Sequence, residues 1–231
     1  MEGTFVAIIV VVLAVTAAII AVSMVATKKR REALQALAGT HGWQWTSRDD
    51  ALPATCPPGP PFRGHPRRAK ARNVVTGRHR DHEFAAFEYS YTTTTSSGQT
   101  TSTTTHTYAV WTITLPASLP PISLGAEGVL GGRVAKAFGF TRMDTGHSEF
   151  DRRYKVKCDD AGFGARVLHP AMVNLLMDTD TWAWRIDGNV MLSYRKGHLT
   201  AEDVIPRLDH MSRVLDHIPR EVWDQYGRSP A

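Results

Sequence analysis

The chain of 231 residues carries a formal net charge of +5, and 42% of its residues are hydrophobic. This length provides one domain with a real core, or two small ones. Its two cysteines, Cys56 and Cys158, are far apart and neither belongs to a CxxC pair, so cysteine spacing predicts no zinc or dithiol site.

An uncharged segment of 22 residues, Phe5–Ala26, lies near the start of the chain. A helix rises ~1.5 Å per residue and would reach roughly 33 Å here, which matches a hydrocarbon core about 30 Å thick. A cleaved signal peptide is the alternative, but it requires positive charges before the apolar core. Here the charges follow it. The sequence therefore predicts an uncleaved transmembrane anchor over residues 1–27.

Four basic residues follow at once: Lys28, Lys29, Arg30 and Arg31. No Lys or Arg precedes the apolar segment, and Lys- and Arg-rich flanks stay on the cytoplasmic side of a membrane. We therefore expect a single-pass protein of the cell membrane, with its N-terminus outside and its C-terminal domain in the cytoplasm. We also predict that these four side chains bind the membrane surface and that residues 28–40 form a basic juxtamembrane helix.

The excess of positive charge extends beyond this helix. Residues 28–80 hold 12 Lys and Arg against 3 Asp and Glu, whereas residues 81–231 hold 15 against 18. A basic residue near a bilayer is attracted to anionic headgroups by about 1 kcal/mol. Nucleic acid is the rival partner, but the adjacent apolar segment favours lipid over nucleic acid.

Small residues recur at four-residue spacing within the apolar segment, as Ala14 with Ala18 and Ala17 with Ala21. Such pairs let two transmembrane helices approach each other closely. A homodimer through Ala14 and Ala18 is therefore one predicted interaction, although an alanine-rich segment also produces this spacing by chance.

From residue 41 to 218 the pattern predicts one cytoplasmic α+β domain, with antiparallel β-hairpins and packed helices. Prolines and arginines make residues 53–72 an irregular loop. Short strands are predicted at 43–45, 73–76, 83–92 and 108–115, the last two as an antiparallel pair. The residues between that pair, 92–107, are almost all Thr and Ser, so we expect an extended hairpin with a mobile tip.

After this pair, Pro116, Pro120 and Pro121 are expected to end the strand. The remaining pattern predicts a short strand over 122–130, a helix over 133–138 and a strand over 150–158. It then predicts helices over 161–168 and from Pro170. A hairpin over 182–194, turning at Asp187-Gly188, and a helix from Thr200 or Asp203 to Ile218 follow. Residues 219–231 are expected to form a flexible tail.

Two blocks of this domain resemble a known group of sequences. They are Glu149–Val156, with the pattern Phe-x-x-x-Tyr-x-Val, and Ala165–Met172, with Ala-Arg before Leu-His-Pro. The Phe87, Tyr89 and Tyr91 strand and the pairs Leu115-Pro116 and Leu119-Pro120 fit the same pattern. The chain thus resembles uncharacterised bacterial, actinobacterial-type single-pass membrane-anchored proteins of a domain-of-unknown-function family. The resemblance implies an anchored α+β domain and no catalytic residues.

His147, Glu149 and Asp151 are weak candidates for catalysis. If the segment were a strand, alternation would place the three side chains on one edge, as an acid/base or metal cluster. A solvated strand face is the alternative.

Other polar clusters lack the partners that their chemistry requires. His79 and His82 have no Cys pair or Glu-rich helix to complete a zinc site. The glycines between Gly125 and Gly132 lack the Gly-Lys-Ser/Thr ending of a phosphate loop. We therefore predict no metal and no cofactor.

These observations favour a membrane-anchored, non-enzymatic domain that binds a partner protein or senses a signal at the cytoplasmic membrane surface. A membrane-surface hydrolase is the first alternative, and it depends on convergence of His147, Glu149 and Asp151. Binding of anionic lipid or nucleic acid through residues 28–80 is the second.

Overall fold

The computed structural model describes residues 2–62, 69–98, 100–126, 142–179 and 182–229, with side chains from residue 13 onward, those of Ala126 and Arg142 excepted. In these ranges seven helices pack with one antiparallel sheet of seven strands. The predicted α+β class is therefore confirmed.

The helices are α1 (Glu2–Thr40), α2 (Leu52–Thr55), α3 (Ser148–Arg153), α4 (Ala161–Val167), α5 (Pro170–Asp178), α6 (Ala201–Asp216) and α7 (Arg220–Tyr226). The strands are β1 (Gln44–Arg48), β2 (Lys70–His79), β3 (His82–Ser97), β4 (Thr100–Ala126), β5 (Arg142–Met143), β6 (Tyr154–Cys158) and β7 (Trp184–Lys196).

Strand β4 is the centre of the sheet because it is long enough to pair with three neighbours. β3 pairs with residues 100–113 along one edge, and β6 continues along that edge at residues 122–126. β7 occupies the opposite edge from Tyr108 to Leu124. β1 and β2 extend the sheet beyond β3, and β5 extends it beyond β6.

Strands β3 and β4 continue as a two-stranded ribbon beyond the rest of the sheet. β2 ends its pairing at Ser90 and β7 ends at Tyr108, whereas the β3–β4 ladder continues to Ser97 and Thr100. We call the ribbon formed by residues 92–97 and 100–105 the hairpin arm. It is exposed beyond Thr92, and no other described strand pairs with its outer edges. The extended hairpin predicted for the Thr- and Ser-rich segment is present.

Both faces of the sheet are buried, which explains why aromatic residues alternate on both sides of β3. On one face, Phe84 and Trp111 join the main core with α3–α7 and the C-terminal half of α1. On the other, Phe87 and Tyr89 form a second cluster beneath the segment from Leu52 to Phe62.

Helix α1 is continuous from the apolar segment into the domain. Its seven large hydrophobic residues from Leu13 to Val25 are 54–70% exposed, whereas Leu34 is fully buried. The helix ends where Gly42 adopts a φ of 67° and the Trp43 amide donates to the Ala38 carbonyl at 2.8 Å. This glycine cap reverses the chain into β1.

Among the helices of the described residues, none combines the length and apolar character needed to cross a membrane. The span expected from the sequence begins at Phe5, before the first described side chain, Leu13. The membrane span therefore stays a prediction.

The hairpin predicted over residues 182–194 is wrong. Residues Trp184–Lys196 form the single strand β7, and Gly188 pairs opposite Leu119 at a register shift instead of forming a turn. The long free edge of β4 offers β7 a ladder along its whole length. This long-range pairing replaces the local turn that Asp187-Gly188 suggests.

The expected strand end after Leu115 is also wrong. β4 continues through Pro116, Pro120 and Pro121, and its register with β7 shifts between Thr114 and Leu119 and again before Ile122. Proline has no N–H for a ladder, and bulges are where a strand tolerates it.

Three later expectations need correction or lie outside the described residues. The strand predicted over 150–158 begins at Tyr154, because Ser148–Arg153 is helical. The expected flexible tail contains α7, and Arg228 exchanges two backbone hydrogen bonds with Ser118. Residues 127–130 of one predicted strand and the predicted helix over 133–138 lie outside the described residues.

Candidate functional site at the helix–sheet junction

The C-terminal half of α1 docks on the sheet through one stripe of side chains. Arg30, Leu34 and Ala38 are four residues apart and therefore share a face of the helix. Leu34 and Ala38 are 0% and 1% exposed within the main core. This stripe fixes the direction in which the long helix leaves the domain.

Glu88 is a buried carboxylate at this junction, with 7% of its surface exposed. It lies on β3 and faces the helices, as Phe84 does, because side chains alternate along a strand. It accepts a hydrogen bond from the Asn73 amide at 3.2 Å, and its other oxygen lies 3.0 Å from Nδ1 of His198. Nε of Arg30 lies 3.7 Å from Oε1. Since a buried charge requires such partners, the pairing of Arg30 with Glu88 holds α1 on the sheet.

The structure divides the four basic residues predicted to bind a membrane surface. Lys28 and Lys29 are exposed, although Lys28 lies 3.8 Å from a glutamate one turn later. The Arg31 guanidinium lies 4.8 Å from the centre of the Trp45 ring, and Arg30 is held at the junction. Two of the four therefore help to orient the helix, and the two lysines keep solvated charges.

A row of aromatic rings lies at the base of the hairpin arm, on the face of the sheet opposite the helices. Tyr91 stacks on His106 at 4.8 Å between ring centres, and Tyr91 and Tyr108 are 6.2 Å apart. Tyr108 contacts Tyr194 on β7 at 6.0 Å. All four rings are partly exposed, so each has an apolar body against its neighbours and a polar tip near solvent.

Arg207 brings a guanidinium into the main core beneath α6, where it is 6% exposed. It lies 3.2 Å and 4.9 Å from the ring centres of Trp182 and Trp111, and it donates to the Ser193 hydroxyl at 3.3 Å. Asp203 attracts this cation electrostatically, but its ion pair is with Arg195. Burial lowers the pKa of Arg207 to about 9. Two indoles stabilise this cation, and it joins α6 to β4 and β7.

His210 lies one turn further along α6 and is 5% exposed. Burial, with the positive charges of Arg207 and Arg213, lowers its pKa to about 4. The imidazole is therefore neutral at physiological pH, and its Nε2 has no hydrogen-bond partner among the described residues. Protonation would place a second buried cation beside Arg207.

A cleft of about 810 Å³ lies at the end of the sheet away from the hairpin arm. Strands β2, β3 and β4 form its floor, and the turn after α1 and helix α2 form its walls, with Trp43, Thr76 and Asn189 among the lining residues. Burial raises the pKa of the Cys56 thiol in its wall to about 11. Cys56 is therefore not a thiolate at neutral pH.

The structure separates the roles of the three residues considered for catalysis. Nδ1 of His147 caps α3 by accepting a hydrogen bond from the Phe150 amide at 3.2 Å. Asp151 accepts from the amide and hydroxyl of Thr145, at 3.1 and 2.8 Å, and Glu149 is exposed. The expected strand edge is a capped helix, so two of these side chains satisfy local backbone groups.

The histidines considered for zinc are placed on a turn. His79 and His82 lie opposite each other at the end of the β2–β3 hairpin. Nε2 of His79 lies 2.9 Å from Oδ1 of Asp209. Within the described residues no group of three His, Cys, Asp or Glu side chains is arranged to hold a metal ion.

Sequence reasoning missed Glu88 and Arg207. The signal for Glu88 was available, because it is a charge among Phe84, Ala86 and other alternating apolar residues of a strand buried on both faces. Arg207 had a similar signal, since it lies beside Leu208 on the apolar face of α6. In both cases a charge at a buried position requires a partner that the pattern does not name.

The fold and this junction define a class of protein, an α+β domain docked on a long N-terminal helix. No family model and no curated protein matches the chain. The crystal structure of the mycobacterial trehalose monomycolate transport factor A, TtfA, is similar, with a TM-score of 0.56 and 15% sequence identity. The match covers 88% of this chain and 97% of that one. At this identity the likeness shows a shared fold alone.

Proposed function

We propose that this chain is a non-enzymatic accessory protein of lipid transport, tethered to the cell membrane by α1 with its domain at the cytoplasmic surface. We assign the membrane contact to the exposed apolar side chains from Leu13 to Val25, because a continuous apolar surface of this kind marks a contact with lipid or protein. Lys28 and Lys29 follow that surface and set the orientation. A homodimer through Ala14 and Ala18 remains part of the proposal.

The transport role is supported by the shared fold. The protein with the similar structure is described as a transport factor for trehalose monomycolate, and we extend a role in lipid transport to this chain. The non-enzymatic part is supported by His147 and Asp151, which serve as capping residues. An accessory protein of this kind acts by positioning a lipid or a transporter and not by making or breaking covalent bonds.

The tether is tested with full-length protein in cell membranes. Changing Ile19 and Ile20 to Lys puts two charges into the predicted span, which costs a few kcal/mol each, so we expect the variant to leave the membrane fraction. The matched control changes both residues to Leu and stays in that fraction. Wild-type protein released by high salt alone would refute the span, because salt removes only a screened electrostatic contact.

Orientation and transport need separate measurements. A reporter fused after Ala231 is expected to be active in the cytoplasm, and activity outside would invert the topology. When the protein is depleted in the organism that produces it, we expect a glycolipid of the outer envelope to accumulate at the inner membrane. Rescue by wild-type protein, but not by the Ile19→Lys, Ile20→Lys variant, would show that the transport role depends on the membrane tether. Unchanged lipid distribution would refute the transport role.

A further inference from the structure

We propose that the hairpin arm and the aromatic row at its base form a second membrane contact, which rests in the headgroup layer of an anionic bilayer. The inference rests on the proposed tether and adds a specific surface to it. It follows from the direction of α1, from the composition of the arm and from the charges around its base.

Helix α1 runs antiparallel to β3. Arg30 lies against Glu88, whereas Trp43, beyond the end of the helix, packs on Phe84 at 4.8 Å between ring centres and donates to the Arg78 carbonyl at 2.9 Å. Residue numbers therefore rise towards opposite ends of the domain along the two elements. The hairpin arm, at the high-numbered end of β3, leaves the domain at the same end as the exposed half of α1.

The base of the arm lies near the level of the predicted membrane boundary. A strand rises ~3.3 Å per residue, so Tyr91 lies roughly 10 Å beyond Glu88. A helix covers that distance in about seven residues. Counted back from Arg30, this reaches Ser23, just inside the expected cytoplasmic end of the span at Ala26. An arm that continued parallel to α1 would enter the acyl core, so the proposed contact has the arm turned along the bilayer surface.

The arm has the chemistry of the headgroup layer. From Thr92 to Thr105 it carries no charged residue and is mostly Thr and Ser, whose hydroxyls donate to and accept from phosphate and glycerol oxygens. Its two unpaired edges would leave backbone groups unsatisfied in hydrocarbon. The arm therefore fits the hydrated headgroups and not the acyl core, and partly exposed Tyr91 and Tyr108 suit the same interface.

Exposed lysines surround the base of the arm. Lys70 pairs in register with Ser90, and Lys196 pairs with Tyr108, so both flank it, and Lys28 and Lys29 lie on α1 at the same end. Three acidic residues at this end are already engaged: Glu32 lies 3.8 Å from Lys28, Asp49 accepts from the amides of Ala51 and Leu52, and Asp50 is paired with Arg48. This end of the domain is therefore positively charged, which complements anionic lipid.

The test uses full-length protein reconstituted in phosphatidylcholine vesicles with and without about 30 mol% phosphatidylglycerol. A fluorophore is attached to Ser97→Cys at the arm or to Asp81→Cys, a control at the opposite end of β3. Burial raises the pKa of both native thiols, so the new exposed cysteine reacts first. Lipids with a headgroup quencher are expected to quench the Ser97→Cys label, more strongly with phosphatidylglycerol, and to leave the Asp81→Cys label unchanged.

Charge variants test the source of the anionic preference. The Lys70→Gln, Lys196→Gln variant is expected to lose roughly half or more of the extra quenching that phosphatidylglycerol causes. The control Arg152→Gln, Arg220→Gln, which changes exposed residues outside this end of the sheet, keeps it. Equal losses in both variants would overturn the role of the two lysines.

Co-flotation with the vesicles separates this inference from the tether. Failure to float refutes the tether and with it this inference. Flotation without quenching of the arm label overturns the arm contact and leaves the tether intact. Excimer formation between pyrene labels on Ser97→Cys, together with the absence of headgroup quenching, would instead assign the arm edges to a second copy of the chain and overturn the lipid contact.

Discussion

At the scale of the residue, Glu88 and Arg30 are expected to be energetically coupled. Glu88→Gln leaves the Arg30 guanidinium half-buried beside a neutral amide, and we expect a loss of about 2 kcal/mol in the free energy of unfolding. Arg30→Met should cost a similar amount, because it leaves the carboxylate with fewer donors. The double variant should cost about 1 kcal/mol less than the sum. Urea unfolding of detergent-solubilised protein measures this cycle, and additive losses would show that the two side chains act independently.

His210 predicts a pH dependence of stability. Its pKa is lowered to about 4 in the folded protein and is about 6.5 in an unfolded chain, so the unfolded state binds more protons between those values. The stability that neutral His210 provides is complete above about pH 6.5 and is lost as the pH falls towards 4, by a few kcal/mol at most.

The comparison of wild type with His210→Leu isolates this contribution. The leucine variant is expected to lose less stability between pH 6.5 and pH 4, measured as the difference between the two unfolding free energies at each pH. The variant His217→Leu, which changes an exposed histidine just after the end of α6, is measured beside it as the control. Parallel pH profiles for wild type and His210→Leu would contradict the predicted shift.

At the scale of the element, the turn after α1 is held by a close contact between Trp43 and β2. A Cβ atom on Gly77 would collide with the Trp43 indole, so Gly77→Ala is expected to displace the ring and destabilise the protein by about 1–3 kcal/mol. Gly39→Ala is the matched control. Nothing lies within 4 Å of its Cβ, and alanine favours the helix by about 1 kcal/mol. The midpoint temperature of unfolding should fall for Gly77→Ala and rise for Gly39→Ala. A rise for Gly77→Ala would refute the close contact between Trp43 and β2.

Pairing between elements also explains which strands the sequence predicts. The β3–β4 pair is predictable because its alternating apolar residues and its uncharged Thr- and Ser-rich connection are local signals. β7 is not, because the turn signal at Asp187-Gly188 competes with a ladder to β4 that is distant in sequence. The ladder satisfies backbone groups along the whole strand, which a two-residue turn cannot do.

At the scale of the whole molecule, the docked stripe of α1 holds the C-terminal half of the helix on the domain. Leu34→Asp places a charge in the core and is expected to release the helix from the sheet. In vesicle-reconstituted protein, trypsin should then cleave after Arg30 and Arg31 at least several-fold faster, since cleavage follows local opening. Gln35→Asp, at the exposed neighbouring position, should cleave at the wild-type rate. Equal rates for all three proteins would mean that Leu34 does not hold the helix.

The sequence by itself determined the α+β class, the apolar segment with its basic end, helix α4 with its Asp160 cap, helix α5 with its first-turn proline, and the hairpin arm. Each depends on periodicity, charge or capping within a short stretch of chain. Only the tertiary structure decided that Arg30 meets Glu88, that Arg207 lies between two indoles and that the arm leaves the domain beside the exposed half of α1. Those facts depend on long-range pairing and on the direction in which α1 crosses the sheet. A buried charge shows in sequence that a partner is required, but chain folding alone determines which residue supplies it.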